Sequence, residues 1–266
     1  MNIIVCIKQV PGVTDVKINP ETNTLIREGV SSIINPFDMY AIEEGLRIKE
    51  KFGGKITVIS LGPPQSINAI KEAIGMVVDE AIQLSDRAFA GSDSWATSYT
   101  LALAIKKLGE FNIILCGKQA IDGDTGQVGP GIASQLGITQ LTYVFKIIKL
   151  EPDTSMITVE RLLEEGREIV EAKLPALLTV VKDINQPRST TLFHIRRASS
   201  LLIPTWTAAD LPGADLSKLG LTGSPTQVIK ISSPPKREGV LDLIKTDSVE
   251  QSAAILADKI IAEKIL

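Results

Sequence analysis

The first 117 residues alternate short β-branched apolar runs with longer amphipathic ones, and few architectures satisfy that alternation. Ile3-Ile4-Val5-Cys6-Ile7, closed by Lys8 and Pro11, reads as a buried strand. Residues 38–51 set Ala41, Ile42, Gly45, Leu46 and Ile48 near one face of a helix, with Asp38 as its N-terminal cap and Gly53-Gly54 as its stop. Residues 55–60 give the next strand, 65–77 the next helix and 81–84 a third strand. Ser94 caps a helix through Leu108, along which Trp95, Leu101, Ala104, Ile105 and Leu108 repeat at helical spacing. Residues 111–116 give a fourth strand. Strands and helices in this order make an α/β fold, a Rossmann-like parallel sheet with flanking helices. Ligands of such sheets sit beyond the carboxyl ends of the strands, where the chain reverses direction. The segments after Cys6, Ser60 and Cys116 are therefore the expected site.

After Leu141 the rhythm changes. Residues 141–150, 156–163 and 168–172 are β-like segments joined by tight turns around Pro152-Asp153 and Glu165-Gly166, an antiparallel β meander. Residues 177–181 read as one more buried strand. Asn185-Gln186-Pro187-Arg188 is a turn, followed by an amphipathic stretch through Ser199. Residues 200–225 hold Pro and Gly with little periodicity. A lone strand over 227–231 and a terminal helix over 248–265 complete the chain. This tail has too few apolar residues in register for a core of its own, so it reads as a C-terminal arm that lies on a partner.

Composition removes several classes of function. A formal net charge of −3 gives no general attraction to a phosphate backbone, so no nucleic-acid role is expected. The apolar run at the start is too short for a signal peptide, and no stretch approaches the roughly 18 apolar residues that span a bilayer. A cytoplasmic location without membrane insertion is the expectation. The two cysteines, Cys6 and Cys116, form no Cys-x-x-Cys pair and read as small apolar side chains at strand ends. His194 is the single histidine, which removes most zinc sites and leaves no Ser-His-Asp triad that does not use it.

The segment most informative for chemistry is residues 117–131. Five of its positions are glycine (Gly117, Gly123, Gly126, Gly129 and Gly131), against 20 in the whole chain. It follows a predicted strand and leads into a helical pattern carried by Ile132, Ala133 and Leu136. Glycines there let backbone amides converge on an anion at a helix N-terminus. Asp122 and Asp124 would repel a phosphate, so they hydrogen-bond ribose hydroxyls or orient the loop. The spacing is neither Gly-x-Gly-x-x-Gly nor a Walker loop and says only nucleotide. Two weaker loops stand at corresponding places. Asn35-Pro36-Phe37-Asp38 offers Phe37 for packing on an adenine ring, and Leu61-Gly62-Pro63-Pro64 offers close backbone approach at Gly62.

These segments resemble the electron-transfer flavoprotein β subunits. The likeness rests on Ile7-Lys8-Gln9-Val10-Pro11, on Asn35-Pro36-Phe37-Asp38, on residues 117–131, and on residues 159–168 followed by Leu174-Pro175-Ala176-Leu177-Leu178-Thr179. Asn185-Gln186-Pro187-Arg188 through Leu192 is similar to that family's partner-recognition loop. The stretch at 159–168 departs from the family at Glu165, where glycine or aspartate is usual. The resemblance implies an adenine nucleotide held by Cys6, Asn35, Pro36, Phe37, Asp38, Leu61, Asp122, Gly123, Asp124, Thr125, Gly126, Gln127, Val128, Gly129, Pro130, Gly131, Ile132 and Ala133. It implies a division into a nucleotide-binding domain, 1–190, and a recognition segment with a C-terminal arm, 191–266, that packs on an α subunit. It also implies that Leu192 plugs into a partner dehydrogenase, against the plain alternative of a core leucine.

Within that family the nucleotide of this subunit is either a structural AMP or a second FAD that takes a hydride from NADH. The small residues of 122–128 leave room for an isoalloxazine ring, and residues 10–15 and 23–29 resemble the anaerobic, electron-bifurcating type. FAD is the expectation, with AMP as the alternative. The implied partners are an acyl-CoA or related flavin dehydrogenase and a ferredoxin or flavodoxin. No general acid or base is expected. Two readings from other classes compete: a stress-protein-like nucleotide module, which needs neither meander nor arm, and a PP-loop ligase, which needs a Ser-Gly-Gly-x-Asp-Ser loop where this chain has Lys8-Gln9-Val10-Pro11-Gly12.

Overall fold

The computed structural model describes residues 1–12, 18–19, 24–25, 32–229 and 241–263. The described elements run β1 (Asn2–Ile7), β2 (Gln9–Pro11), β3 (Ile18–Asn19), β4 (Thr24–Leu25), β5 (Ser32–Ile34), α1 (Pro36–Phe52), β6 (Lys55–Leu61) and α2 (Ile67–Gly75). Then come β7 (Glu80–Leu84), α3 (Ser94–Leu108), β8 (Ile113–Gly117), α4 (Val128–Leu136), β9 (Thr139–Glu151), β10 (Met156–Leu163) and β11 (Gly166–Lys173). The chain continues through β12 (Ala176–Val180), α5 (Leu192–Ser200), β13 (Thr205–Trp206) and α6 (Val249–Ala262).

Nine strands make one sheet in the order β11-β10-β9-β12-β8-β1-β6-β7-β13. All neighbours from β9 to β13 pair in parallel, and β10 and β11 extend the sheet antiparallel. From β1 the chain winds outward through β6 and β7, then returns to place β8 on the other side of β1. That reversal opens a crevice at the carboxyl ends of β1 and β8. The meander predicted from turn chemistry is present, and it is continuous with the parallel sheet through the β9–β12 pairing.

The core forms in two layers because β1 is buried on both faces and alternates between them. Ile3, Val5 and Ile7 face α1 and α2, where Ala41, Ile42, Leu46, Ala69, Ile70 and Ala73 are buried. Ile4 and Cys6 face α3 and α4, against Leu101, Ala104, Ile105, Ile132 and Ala133. Gly45 allows α1 to approach the sheet: a Cβ there would meet Ile56 Cδ1 at 2.7 Å. Gly53, at φ 71°, ends α1 and returns its amide to the Lys49 carbonyl.

Several local expectations are corrected. Asn35, not Asp38, stands at the cap of α1, and Asp38 lies inside the first turn. Asp93, not Ser94, caps α3, accepting from the Trp95 and Ala96 amides at 2.9 and 3.0 Å. An aspartate carboxylate one residue earlier reaches both free amides of the first turn. Trp95 shares the helical spacing but is exposed, stacked on Tyr99 with centroids 5.8 Å apart. The helix predicted over 65–77 begins as a 3₁₀ turn, Pro64–Ser66, and becomes α only from Ile67. Residues 227–229 pair with no strand among the described residues, and 230–231 lie outside them.

The chain divides into two compact units, Met1–Lys230 and Ile231–Leu266. Residues 205–206 of the first unit form β13, the ninth strand of the sheet, beside β7. Gln83 is the reason so short a strand holds. Its side chain accepts from Thr205 Oγ1 at 3.1 Å and donates toward the Pro63 and Pro64 carbonyls and Ser66 Oγ, at 3.2, 3.0 and 3.0 Å. In the second unit Ser248 caps α6 through the Gln251 amide. Replacing buried Gln83 with leucine removes the partner of Ser66 and of these part-buried groups and should cost about 1–3 kcal/mol of stability, measured by urea denaturation. An unchanged midpoint would contradict the role given to this side chain.

Candidate functional site

A cavity of about 990 Å³ opens where β1, β6, β7 and β8 end. Each strand contributes its following loop: Lys8 after β1, residues 61–64 after β6, 85–93 after β7, and 117–120 with 123–129 after β8. Asn35 and Asp38 close one side from α1, and Thr226 and Val228 close another from the extended segment after β13.

Asp38 knots three of these elements together. It is buried, and its carboxylate accepts from the Lys8 amide at 2.7 Å, the Gly117 amide at 3.2 Å and Asn35 Nδ2 at 3.0 Å. The end of β1, the end of β8 and the start of α1 are therefore held by one side chain. Gly117 is required here, since a Cβ would fall on Asp38 Oδ1 and on Phe37. Burial raises the Asp38 pKa to about 7, against the pull of its hydrogen bonds and of Lys8. Asn35 completes the knot, donating to the Gln119 carbonyl at 2.9 Å and accepting from the Ile121 amide at 3.1 Å.

The glycine-rich loop is shaped mostly by its own residues. Lys8 Nζ pairs with Asp122 at 2.6 Å, and Gln119 Nε2 donates to Asp124. Asp124 has φ 54° and Gly126 φ 62°, so the loop turns twice through left-handed backbone before α4. Gln127 then opens α4 without a side-chain cap, leaving the first-turn amides directed at the cavity end of the helix. Gly129 lets this end sit against the sheet: a Cβ would meet Thr179 Cγ2 at 2.6 Å. Ser98 Oγ ties α3 to α4 by donating to the Val128 carbonyl at 3.1 Å.

Across the cavity, burial pushes Asp93 up, but hydrogen bonds from Ala96, Thr226 and Trp95 outweigh it and hold the carboxyl below the usual range. Thr226 reaches it through both its amide, at 3.0 Å, and its hydroxyl, at 2.8 Å. On the floor, Cys6 and Cys116 are direct register partners on β1 and β8, and both are free thiols. The Cys6 thiol beside it, together with burial, raises the Cys116 pKa well above the ordinary thiol value.

Of the residues expected at the site, Cys6, Asn35, Asp38, Leu61, Gly123, Asp124, Thr125, Gly126, Gln127, Val128 and Gly129 line the cavity. Asp122 lines a smaller adjoining pocket of about 290 Å³ together with Lys8. Pro36, Phe37, Pro130, Gly131, Ile132 and Ala133 line neither. Ile132 and Ala133 are buried on the inner face of α4, Gly131 packs on Ser98, and Phe37 lies beside Gly117. Sequence reasoning did not find the wall at 85–93, with Asp86, Arg87 and Asp93. The signal was there in two aspartates, each placed to cap the turn after it.

A second feature lies on the first compact unit. Thr191 caps α5, and Leu192 and Phe193 at its start are 86% and 73% exposed, so Leu192 is no core leucine. The segment leading to them is pinned to α1. Arg188 donates to Glu43 from its amide at 3.1 Å and from Nε at 2.8 Å, and to Glu50 at 2.6 Å. Asn185 Nδ2 donates to the Tyr40 carbonyl and to Glu44, both at 3.0 Å.

The fold and cavity define an α/β protein of the doubly wound kind, with its site at the strand reversal and an antiparallel extension on the same sheet. Residues 22–211 match the family model described as electron transfer flavoprotein domain. The chain is 48% identical to the electron transfer flavoprotein subunit beta of Clostridium acetobutylicum over 260 residues, covering 98% of each. It is 47% identical to the protein so described from Megasphaera elsdenii, covering all of both. It is 44% identical to protein FixA of Bradyrhizobium diazoefficiens, over 98% of this chain and 91% of that one. The chain belongs to the electron transfer flavoprotein family, with the character of its β subunits. Electron transfer beside an α subunit is the function this membership supports. Among the described residues no helix is long and apolar enough to cross a membrane.

The Asp38 knot has a measurable signature. Its carboxyl titrates near 3.8 unfolded and about 7 in the fold, so the folded protein binds more protons between those values. Its contribution to stability is therefore full below about pH 4 and is lost as pH rises through about 7. Asp38→Asn removes this dependence. Its stability relative to the parent protein should rise from about pH 5 to about pH 8 in denaturant titrations. A difference that stays flat across that range would contradict the assignment.

Proposed function

We propose that this chain binds FAD in the cavity, accepts electrons there from NADH, and works with an α subunit's FAD in flavin-based electron bifurcation. The observation that carries the reading is the cavity itself. At about 990 Å³ it stands at the upper end of the roughly 300–1,000 Å³ typical of small-molecule sites, ample for a dinucleotide. When bound, the flavin would supply hydride acceptance from NADH and the splitting of the pair, one electron to the α-subunit FAD and one to a ferredoxin or flavodoxin.

The chain's own residues supply the rest. The uncapped start of α4 offers backbone amides and a partial positive charge to a pyrophosphate. Arg87, which makes no ion pair among the described residues, stands on the opposite wall and gives a second positive charge. Asp38, Asp93, Asp122 and Asp124 are already engaged by protein donors, which fits loop orientation better than direct contact with phosphate. The apolar side chains of Leu61, Phe89, Leu101 and Val128 suit ring systems. The small residues 123–126 leave the cavity open beyond the adenylate position, which favours FAD over AMP.

The segment from residue 191 onward serves the partners in this reading. Leu192, presented at the tip of α5 on a base fixed by Arg188 and Glu43, docks on an acyl-CoA or related flavin dehydrogenase. Residues 191–266 serve as the recognition segment and the arm for the α subunit. Both readings are tested in the complex with the α subunit. Gly126→Val, at φ 62°, strains the loop and should lose or lower the nucleotide content of this chain; full retention would displace the loop from the site. Leu192→Ala should keep nucleotide content and weaken binding to the dehydrogenase about tenfold or more. An unchanged docking affinity would remove Leu192 from that role.

A further inference from the structure

Two cysteines occur in the whole chain, and the fold sets them side by side. Cys6 and Cys116 are register partners on adjacent parallel strands, where backbones run about 4.7–4.9 Å apart and paired side chains share a face. Both belong to the layer under α3 and α4, and both line the cavity floor with 7% and 6% of their surface exposed. Electron transfer through a bound nucleotide needs no covalent or redox chemistry from either thiol.

We propose that Cys6 and Cys116 form a dithiol site for soft, thiophilic acids that close two sulfur bonds at once, with trivalent organoarsenicals as the fitting class. Soft sulfur ligands select soft partners, and two of them at fixed spacing bind one centre far better than either alone. Charge narrows the choice further. The carboxylate of Asp38 acts on Cys116 through space, so a buried product with added negative charge is disfavoured. A monovalent ion such as Cu(I) would leave a bis-thiolate anion there. An aryl arsenoxide leaves none: R–As=O and two S–H groups give R–As(S–)₂ and one water, with two As–S bonds formed and arsenic still trivalent. No oxidant or reductant is consumed. The aryl group has an apolar bed in Leu61, Phe89, Leu101 and Val128.

Since the thiols lie on the floor of the same cavity, the adduct and an adenine nucleotide exclude one another; this half of the inference rests on the proposed function. The test titrates the α-subunit complex, freed of nucleotide, with phenylarsine oxide and reads the mass of this chain and its remaining alkylatable thiols. One arsenical per chain with loss of both thiols, reversed by 2,3-dimercaptopropanol, is the expected result. Cys6→Ala and Cys116→Ala, with the serine variants as second probes of folding, should each weaken the adduct about a hundredfold. Equal affinity in the single variants, or an adduct that spares either thiol, overturns the dithiol site. Saturating FAD or AMP should slow adduct formation about tenfold or more. An unchanged rate with the dithiol adduct intact overturns the shared cavity alone and counts against the nucleotide reading.

Discussion

A single buried carboxylate holds the functional end of this molecule together. The crevice of a doubly wound sheet is an edge where strands stop and backbone amides lose their ladder partners. Here the amides of Lys8 and Gly117, just beyond β1 and at the end of β8, turn to Asp38 in the first turn of α1. Two strands on either side of the reversal and one helix thus share a common point. Through Asn35 the same knot reaches Gln119 and Ile121, which ties the start of the glycine-rich loop to the same point. Desolvation works against the charged form of Asp38, and its three donors offset only part of that cost.

This knot imposes a division of labour in the cavity. The acidic groups around it are engaged in holding loops: Asp122 on Lys8, Asp124 on Gln119, Asp93 on α3 and Thr226. Donors that line the space include the first amides of α4, Lys118 and Arg87. Helix α1 also anchors the segment that leads to the exposed start of α5. Glu43, 3% exposed, anchors Arg188, and the exposed start of α5 comes four residues later. A rigid helix that touches the cavity at one end and the base of α5 further along keeps both surfaces in one frame.

The parallel sheet was legible because its central strands are buried on both faces and so read as unbroken apolar runs, as in Ile3-Ile4-Val5 and Ile113-Ile114-Leu115. The meander was legible from turn residues between alternating segments. Two-residue β13 was not, since Thr205-Trp206 has no local pattern; it exists because Gln83 and the backbone of β7 receive it. The lone strand expected at 227–231 rested on apolar content alone, and residues 227–229 find no ladder among the described residues. At the site, the glycine-rich loop announced itself by composition. Asp38 was read as a cap because aspartate before a helix usually is one, whereas its buried role depends on β8, some eighty residues away. Phe37 was placed toward the ligand by its chemistry, but the tight approach of Gly117 leaves it beside the loop rather than on the cavity wall.

The central claim is that this chain contributes its own flavin site to the electron-transfer complex. The most direct measurement is the identity and stoichiometry of nucleotides released from the complex after co-expression with its α subunit, by absorbance and chromatography. Two FAD per heterodimer is the result this account predicts. One FAD with one AMP would contradict it, leaving the nucleotide of this subunit structural and the complex a single-electron shuttle between dehydrogenases.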